Sequence, residues 1–277
     1  MKLIFLEGTN VVFRLLKKKI NFILFTIVNI RPLSRSLSII VLKFVQLIFG
    51  YSPKNISFLI KLNHKNHSFT VDDMTQFTYL CNMFHSNRYM VSAKINADPI
   101  IIDAGANIGA ASLYFLSKYP NATIFAFDAS LSNVTRYKNN FVDYPQVHIE
   151  HKAVWNSDTT LKFNYSSVSR FHSANKIDNV ESVQDVEAIR LDHWLQQKGL
   201  RKIDILKFNV EGAELKAVNG LGDEIQRIGV IVGEFHPDQV RKQDFIEELG
   251  RRNFEVIRYE KAGKNVFTFE AVSCKVA

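Results

Sequence analysis

The chain has 277 residues, 47% of them hydrophobic and 22% charged, with a formal charge of +8. That length and apolar content fit one large domain, or a domain with an appendage, and exclude a disordered or fibrous chain. The positive excess is concentrated: residues 1–50 carry eight Lys and Arg against Glu7 alone, so the other 227 residues are near neutral and offer no basic groove for nucleic acid.

Cys81 and Cys274 are too few and too far apart for a disulfide framework or a zinc site. A reducing, cytoplasmic compartment is the expectation. The Asn-X-Ser/Thr triplets at Asn55, Asn66, Asn121, Asn133 and Asn164 do not change it, because such triplets arise by chance and Asn121 and Asn133 flank a buried strand.

In chain order, Ile20 to Ile30 and Leu37 to Phe49 are nearly all apolar, and Arg31-Pro32-Leu33-Ser34-Arg35 separates them. As helices they measure about 15 to 20 Å each, against a hydrocarbon core of about 30 Å, so neither crosses a bilayer alone. Lys17-Lys18-Lys19 precedes an apolar run, but no small-residue cleavage site follows, which argues against a secretory signal. Three uses of residues 1–50 stay open: a helical pair packed on the core or on a second copy in an oligomer, a peripheral contact at the inner face of a membrane, and a spanning hairpin.

Residues 51–97 read as a lead-in on the substrate side. Ile56 to Leu62 and Ser68 to Val71 suggest two short strands around His64-Lys65-Asn66-His67, and Asp72-Asp73 caps a helix reaching about Phe84. From Pro99 apolar strands alternate with helices. Strands are predicted at 100–103, 123–128, 147–151, 203–208 and 228–235, and helices near 107–118, 131–141, 190–198, 213–221 and 239–251. A terminal hairpin, Phe254 to Tyr259 with Asn265 to Phe269, completes the pattern. Strands apolar throughout imply a sheet covered on both faces. The predicted fold is therefore α/β: a doubly wound, mostly parallel seven-stranded Rossmann-like sheet over 98–277, with an antiparallel terminal hairpin and an N-terminal helical extension. The polar stretch from Trp155 to about Asp185 interrupts the alternation. It predicts a hairpin pairing Ala153-Val154-Trp155 with Leu161-Lys162-Phe163 around Asn156-Ser157-Asp158, then a substrate-covering loop holding His172 and Ser173.

Ile101-Ile-Asp-Ala-Gly-Ala-Asn-Ile-Gly109 is the layout of a nucleoside site: Gly105 and Gly109 permit a sharp turn from a buried strand into a helix N-terminus, and Asp128 ends the next strand where a carboxylate meets ribose hydroxyls. The spacing is Gly-X-X-X-Gly rather than Gly-X-Gly-X-X-Gly, which weighs against a nicotinamide-dependent oxidoreductase. Three further blocks follow in order: Leu191-Asp192-His193-Trp194, then Lys207-Phe-Asn-Val-Glu-Gly-Ala-Glu214, then Gly233-Glu-Phe-His-Pro237. Together these residues resemble the FkbM family of S-adenosylmethionine-dependent methyltransferases over about residues 98–240.

The resemblance implies S-adenosylmethionine as cofactor, lined by Asp103, Gly105, Ala106, Asn107, Gly109, Asp128, Ala129, Ala153 and Asn209. It also implies O-methylation of a small-molecule, sugar or glycan acceptor. Two positions depart from the family's usual pattern: Asn209 stands where Asp is usual, and Asp128-Ala129 where Glu-Pro is usual. Asn209 removes a charge, which leaves room for a non-catalytic module of the same fold that binds cofactor without turnover. Candidates for the chemistry are Lys207, Glu211, Glu234 and His236 at the strand ends, with His236 as base and Glu211 as a polar contact. Glu211, Glu234 and His236 lack a diagnostic metal-ligand spacing, so no metal is expected.

Overall fold

A computed structural model describes residues 17–86, 88–166, 180–263 and 265–275. By its internal contacts the chain divides into two units, Met1–Asn87 and Arg88–Ala277.

In the first unit, helix α1 (17–29) leads through strand β1 (Ile30–Arg31) into helix α2 (Leu33–Phe49), as the two apolar runs predict. No helix of the described residues is long and apolar enough to cross a membrane. Strands β2 (Ile56–Leu62) and β3 (Lys65–Val71) follow, and β1 pairs antiparallel with β2 to make a three-stranded sheet. Ile56, Phe58, Ile60 and Leu62 point inward at the two-residue period of a half-buried strand. The turn is tighter than its polar stretch suggests: Leu62 pairs with Lys65, and Asn63 and His64 both take positive φ (47° and 66°), the geometry of a two-residue hairpin turn. Helix α3 (Met74–His85) begins where predicted, with the Asp73 carboxylate accepting from the N–H groups of Thr75 and Gln76.

The second unit is built on a seven-stranded sheet. Strands β4 (Ile100–Ala104), β5 (Thr123–Asp128), β6 (Val147–His151), β10 (Ile203–Phe208) and β11 (Ile228–Phe235) are parallel. The C-terminal hairpin of β12 (Phe254–Lys261) and β13 (Phe267–Ser273) adds to the β11 edge, with β13 antiparallel to β11. The order is β12-β13-β11-β10-β4-β5-β6, so the chain turns from one half of the sheet to the other between β4 and β10. In an open parallel sheet that reversal leaves a crevice beyond the C-terminal strand ends. Every residue of β10 and β11 is buried, the charged Asp204, Lys207 and Glu234 included, as their central place requires.

Helices α4 (Ala110–Lys118), α5 (Leu131–Asn140), α6 (Leu191–Lys198), α7 (Glu214–Asn219) and α8 (Lys242–Arg251) connect the strands. A 3₁₀ turn, Gly222–Arg227, leads into β11. Helix α4 starts three residues later than predicted, because Asn107 and Gly109 take positive φ (51° and 99°) and hold the chain out of the helix.

The polar insertion is a second small sheet, and here the predicted hairpin is wrong. Strand β7 (Ala153–Trp155) does not pair with β8 (Thr159–Ser166). Both pair with β9 (Val180–Arg190), which lies between them, β7 in parallel and β8 antiparallel. Asp158 accepts the Arg190 N–H (2.7 Å), which ties the would-be hairpin turn to the end of β9 instead. The predicted loop residues His172 and Ser173 lie outside the described residues.

Candidate active site

Beyond the C-terminal ends of β4, β5, β10 and β11, the second unit gathers an unusual density of buried charge. The turn after β4 is pinned from several sides. Gly105 and Ala106 donate to the Phe127 carbonyl (2.9 and 3.0 Å), Asn107 N–H donates to Asp128 Oδ2 (2.7 Å), and Gly109 N–H to the Ala106 carbonyl (3.0 Å). The N–H groups expected to face a ligand are therefore occupied within the turn, and the donors left in this segment belong to the first turn of α4, whose N-cap Gly109 has no side chain to cap it. The two glycines are required by packing as much as by the turn. A Cβ on Gly105 would lie 1.8 Å from the Asn209 carbonyl oxygen, and one on Gly109 would lie 2.2 Å from the Phe141 ring.

Asp128 is buried and accepts three hydrogen bonds, from the N–H groups of Asn107 and Ser130 and from Asn133 Nδ2. Burial pushes its carboxyl above the ordinary range, against the pull of those donors and of the Lys207 charge. A carboxylate has about four lone-pair sites, so about one remains for a ligand hydroxyl. Ala129 and Ala153 pack with Ala213 and Trp155 in a small apolar cluster beside this strand end.

Asp103 and Lys207 are cross-strand partners on β4 and β10, and both are buried. Lys207 Nζ lies 2.8 Å from Asp103 Oδ1, and donates to the carbonyls of Gly105 (2.8 Å) and Ala104 (3.4 Å). Ser112 donates to Asp103 Oδ2 (2.7 Å), and Tyr137 donates to Ser112 in turn (2.7 Å). Neither charged group faces outward. Their shared work is to tie the glycine turn to β10, and Lys207, which donates to two carbonyls of the turn and faces the Asp103 carboxylate, is placed as a positioning residue.

After β10 the chain makes a strained corner. Glu211 takes φ 50° and Gly212 φ 90° before α7 begins. A left-handed residue other than Gly, Asn or Asp costs roughly 1–2 kcal/mol, so the turn holds Glu211 in one orientation at a cost borne by its surroundings. Glu214, fully buried, accepts from Gly212 N–H (3.1 Å) and from His236 Nδ1 (2.7 Å). His236 Nε2 faces Glu211 Oε2 at 3.4 Å. Burial works against charge on His236, but the Glu214 hydrogen bond and the charges of Glu214, Glu211 and Glu234 outweigh it, raising the imidazole to about 9. Burial, with the charges of Glu234 and Glu214, raises the Glu211 carboxyl to about 7 despite the opposing pull of His236 and Lys207.

The candidates Lys207, Glu211, Glu234 and His236 thus converge on one end of the sheet. Glu234 accepts from Arg88 Nη1 (2.5 Å) and the Tyr89 hydroxyl (2.9 Å), which anchors it. Three partners escape sequence reasoning. Glu214 closes the Lys207–Glu214 block without standing among the candidates, and Arg88 and Tyr89 precede the stretch that carries a motif. Only the density of acidic residues in Glu211-Gly-Ala-Glu214 hints at a cluster. Among the described residues no group of three or more His, Cys, Asp or Glu side chains is arranged to hold a metal ion.

Asn209 donates its N–H to the Ala104 carbonyl (3.0 Å), while its side-chain Oδ1 is buried without a protein partner, as is Glu214 Oε2. Unpaired buried acceptors cost free energy unless a ligand donor meets them. The carboxylates Asp103, Asp128, Glu211, Glu214 and Glu234 outnumber Lys207, Arg88 and His236, so the crevice carries a negative excess. Unpaired acceptors and an acid-rich wall fit a cationic ligand bearing ammonium and hydroxyl donors.

Comparison with known proteins agrees. Residues 103–265 match the family model of the methyltransferase FkbM domain. The chain is 29% identical over 219 residues to methyltransferase sdnD of Sordaria araneosa, a match covering 66% of this chain and 83% of that protein. It is 25% identical over 170 residues to the 2-O-methyltransferase NoeI of Sinorhizobium fredii, covering 56% of this chain and 70% of that one. With the hexuronic acid methyltransferase AglP of Haloferax volcanii it shares 24% identity over 140 residues, covering 50% of this chain and 56% of that protein. A solved methyltransferase FkbM from Methylobacillus flagellatus shares the fold, with a TM-score of 0.50 at 11% identity, over 72% of this chain and 54% of that one. The family match spans more than half of the sequence and contains the glycine turn and the Glu211, Glu214 and His236 cluster, and on that ground the chain belongs to the FkbM family of S-adenosylmethionine-dependent methyltransferases.

Proposed function

We propose that the protein methylates a hydroxyl of a sugar, glycan or glycolipid, with Glu211 as the catalytic base and His236 as its positioning residue. The observation that carries this reading is the Glu211–His236 pair beyond β10 and β11, with Glu211 fixed by its left-handed turn and its carboxyl raised to about 7. A base with that value is half ionised near neutral pH, where general-base catalysis works best. His236, raised to about 9, already carries its proton at neutral pH, so Glu211, and not His236 as the sequence suggests, takes the role of base. Glu214, through its bond to Nδ1, fixes the imidazole so that Nε2 faces the Glu211 carboxylate.

Bound S-adenosylmethionine supplies a methyl group on a positively charged sulfonium. The chain's own part is to hold it and the acceptor in line, which contributes up to about 7–11 kcal/mol in favourable cases, and to take the acceptor's proton, which adds about 10²- to 10⁴-fold. In this reading Asp128 holds a ribose hydroxyl, Asn209 Oδ1 meets the ammonium of the methionine moiety, and the uncapped first turn of α4 meets its carboxylate. Gly105, Ala106, Asn107 and Gly109 shape the turn that brings these groups together, Asp103 and Lys207 brace it, and Ala129 and Ala153 border the nucleoside.

The hydroxyl acceptor is supported by the names of two relatives, a 2-O-methyltransferase and a hexuronic acid methyltransferase. Asn209 favours one other reading, a module of the same fold that binds cofactor without turnover. One experiment tests both. The chain is incubated with methyl-labelled S-adenosylmethionine and a panel of sugar nucleotides, glycolipids, free glycans and their deoxy analogues. Label is expected in one hydroxyl-bearing class and not in the analogue lacking that hydroxyl. Transfer only to amines, protein or nucleic acid would overturn the sugar acceptor, and cofactor binding with no transfer to any acceptor would favour the non-catalytic module.

A further inference from the structure

Helix α2 is apolar on both sides. Its inward side carries the fully buried Ile39 together with Ser36, whose hydroxyl donates to the Ile30 carbonyl (2.9 Å), and the part-buried Lys43 and Gln46, which bond each other (2.8 Å). Its outward side carries Leu33, Leu37, Val41, Phe44 and Ile48, each 52–70% exposed and spaced as one helical stripe. Helix α1 shows a second such stripe in Ile20, Leu24, Ile27 and Val28. Of the seventeen large apolar side chains exposed among the described residues, twelve lie between Ile20 and Tyr51, so this surface is concentrated and not scattered.

The charge of the stretch that carries these helices has one sign. Between Glu7 and Asp72 there is no Asp or Glu, while Lys and Arg occur ten times. Next to the α2 stripe is a shallow groove of about 430 Å³ lined by Arg31, Arg35 and four serines together with the apolar Pro32, Phe58 and Leu59. Both guanidinium groups are fixed there by backbone carbonyls, Arg31 by Ile27 and Ile30 and Arg35 by Ser57 (2.8 to 3.1 Å). The Ser38 and Ser57 hydroxyls are engaged by the Ser34 carbonyl and by Thr70, and fixed cations beside the Ser34 and Ser68 hydroxyls are the chemistry that binds a phosphate.

We propose that the outward face of α1 and α2 docks on the surface of an anionic phospholipid bilayer, with the apolar stripes in the headgroup boundary and the Arg31/Arg35 groove taking a lipid phosphate. An unpartnered apolar face alone fits a second copy of the chain equally well. A face that is apolar in its centre, basic at its edges and without any carboxylate repels an identical partner and complements an anionic membrane. Helix α2, at 17 residues, lies along such a surface and does not cross it. The inference stands whether or not the acceptor is a sugar.

The test is co-sedimentation of the full chain with vesicles of phosphatidylcholine alone and of phosphatidylcholine with phosphatidylglycerol, alongside sedimentation velocity without lipid. Binding is expected only to the anionic vesicles, weakening with salt. Replacing Lys17, Lys18 and Lys19 by Gln should weaken it about fivefold per lysine, since each basic residue near such a surface contributes about 1 kcal/mol. Leu37→Glu with Phe44→Glu should abolish it, and because both side chains already face outward the thermal midpoint should not fall. Equal binding to neutral vesicles, undiminished binding by the double Glu variant, or a dimer that those two substitutions dissociate would each overturn the proposal.

Discussion

His236 is gripped from two sides, by Glu214 at 2.7 Å and Glu211 at 3.4 Å, and the two carboxylates do different things. Glu214 sets the ring's charge and orientation, and in the proposed mechanism Glu211 takes the acceptor's proton. Because the folded value, about 9, lies above the ordinary 6.5, the charged ring stabilises the fold fully below about 6.5, and that contribution is lost as pH rises through about 9. Glu214→Gln removes the charge but keeps an acceptor. We expect the His236 titration midpoint, followed by NMR, to fall by more than one pH unit toward 6.5. An unmoved midpoint would show that Glu214 is not its partner. Asn209 is the other residue whose chemistry is exposed to test. A hydrogen bond to a charged acceptor exceeds a neutral one by about 1 kcal/mol, so Asn209→Asp is expected to tighten S-adenosylmethionine binding about fivefold by calorimetry. It should also lower the thermal midpoint of the free protein, through a buried uncompensated charge. Unchanged affinity would remove Asn209 from the cofactor site.

At the scale of elements, the turn after β4 concentrates several constraints. Gly105 combines φ 77° with a Cβ position 1.8 Å from a backbone oxygen, so neither a side-chain rotation nor a small shift relieves Gly105→Ala. We expect a loss of at least about 2–3 kcal/mol in denaturant unfolding, the combined cost of strain and overpacking. A loss below 1 kcal/mol would mean that the turn and β10 are less tightly coupled than the Lys207 bonds indicate. The strand boundaries that were legible at 123–128, 203–208 and 228–235 belong to mainly apolar runs, whereas 147–151, Val-His-Ile-Glu-His, is an edge strand with polar residues alternating with apolar ones. Those that were not had a physical reason to mislead. In β9, Glu181, Ser182, Gln184, Asp185 and Glu187 give the polar composition of a loop and hide an eleven-residue strand. Without β9, the neighbouring β7 and β8 could only be read as partners of each other. The start of α4 was blurred by Ile108, an apolar residue at helical spacing within a turn held open by left-handed Asn107 and Gly109.

At the scale of the whole molecule, charge and function separate along the chain. The first unit holds the basic excess and the outward apolar helices, while the second holds the parallel sheet and its acid-rich crevice. The sheet's topology was legible because βα alternation and a terminal hairpin permit few arrangements. The glycine turn was legible because it is local, nine residues ending at Gly109 with Asp128 one strand later. The division of labour within the Glu211, Glu214 and His236 cluster was not, since it depends on burial and on which nitrogen meets which carboxylate, and neither is encoded in spacing. The pH dependence of kcat/KM for methyl transfer to a sugar hydroxyl tests the assignment of Glu211 most directly. A bell-shaped profile is expected, rising through about 7 as Glu211 ionises and falling through about 9 as His236 loses its proton. Glu211→Gln should abolish the acid limb and slow the reaction about 10²- to 10⁴-fold, while leaving cofactor affinity nearly unchanged. A profile with no limb near 7, or a Glu211→Gln enzyme as fast as the unaltered chain, would contradict that assignment.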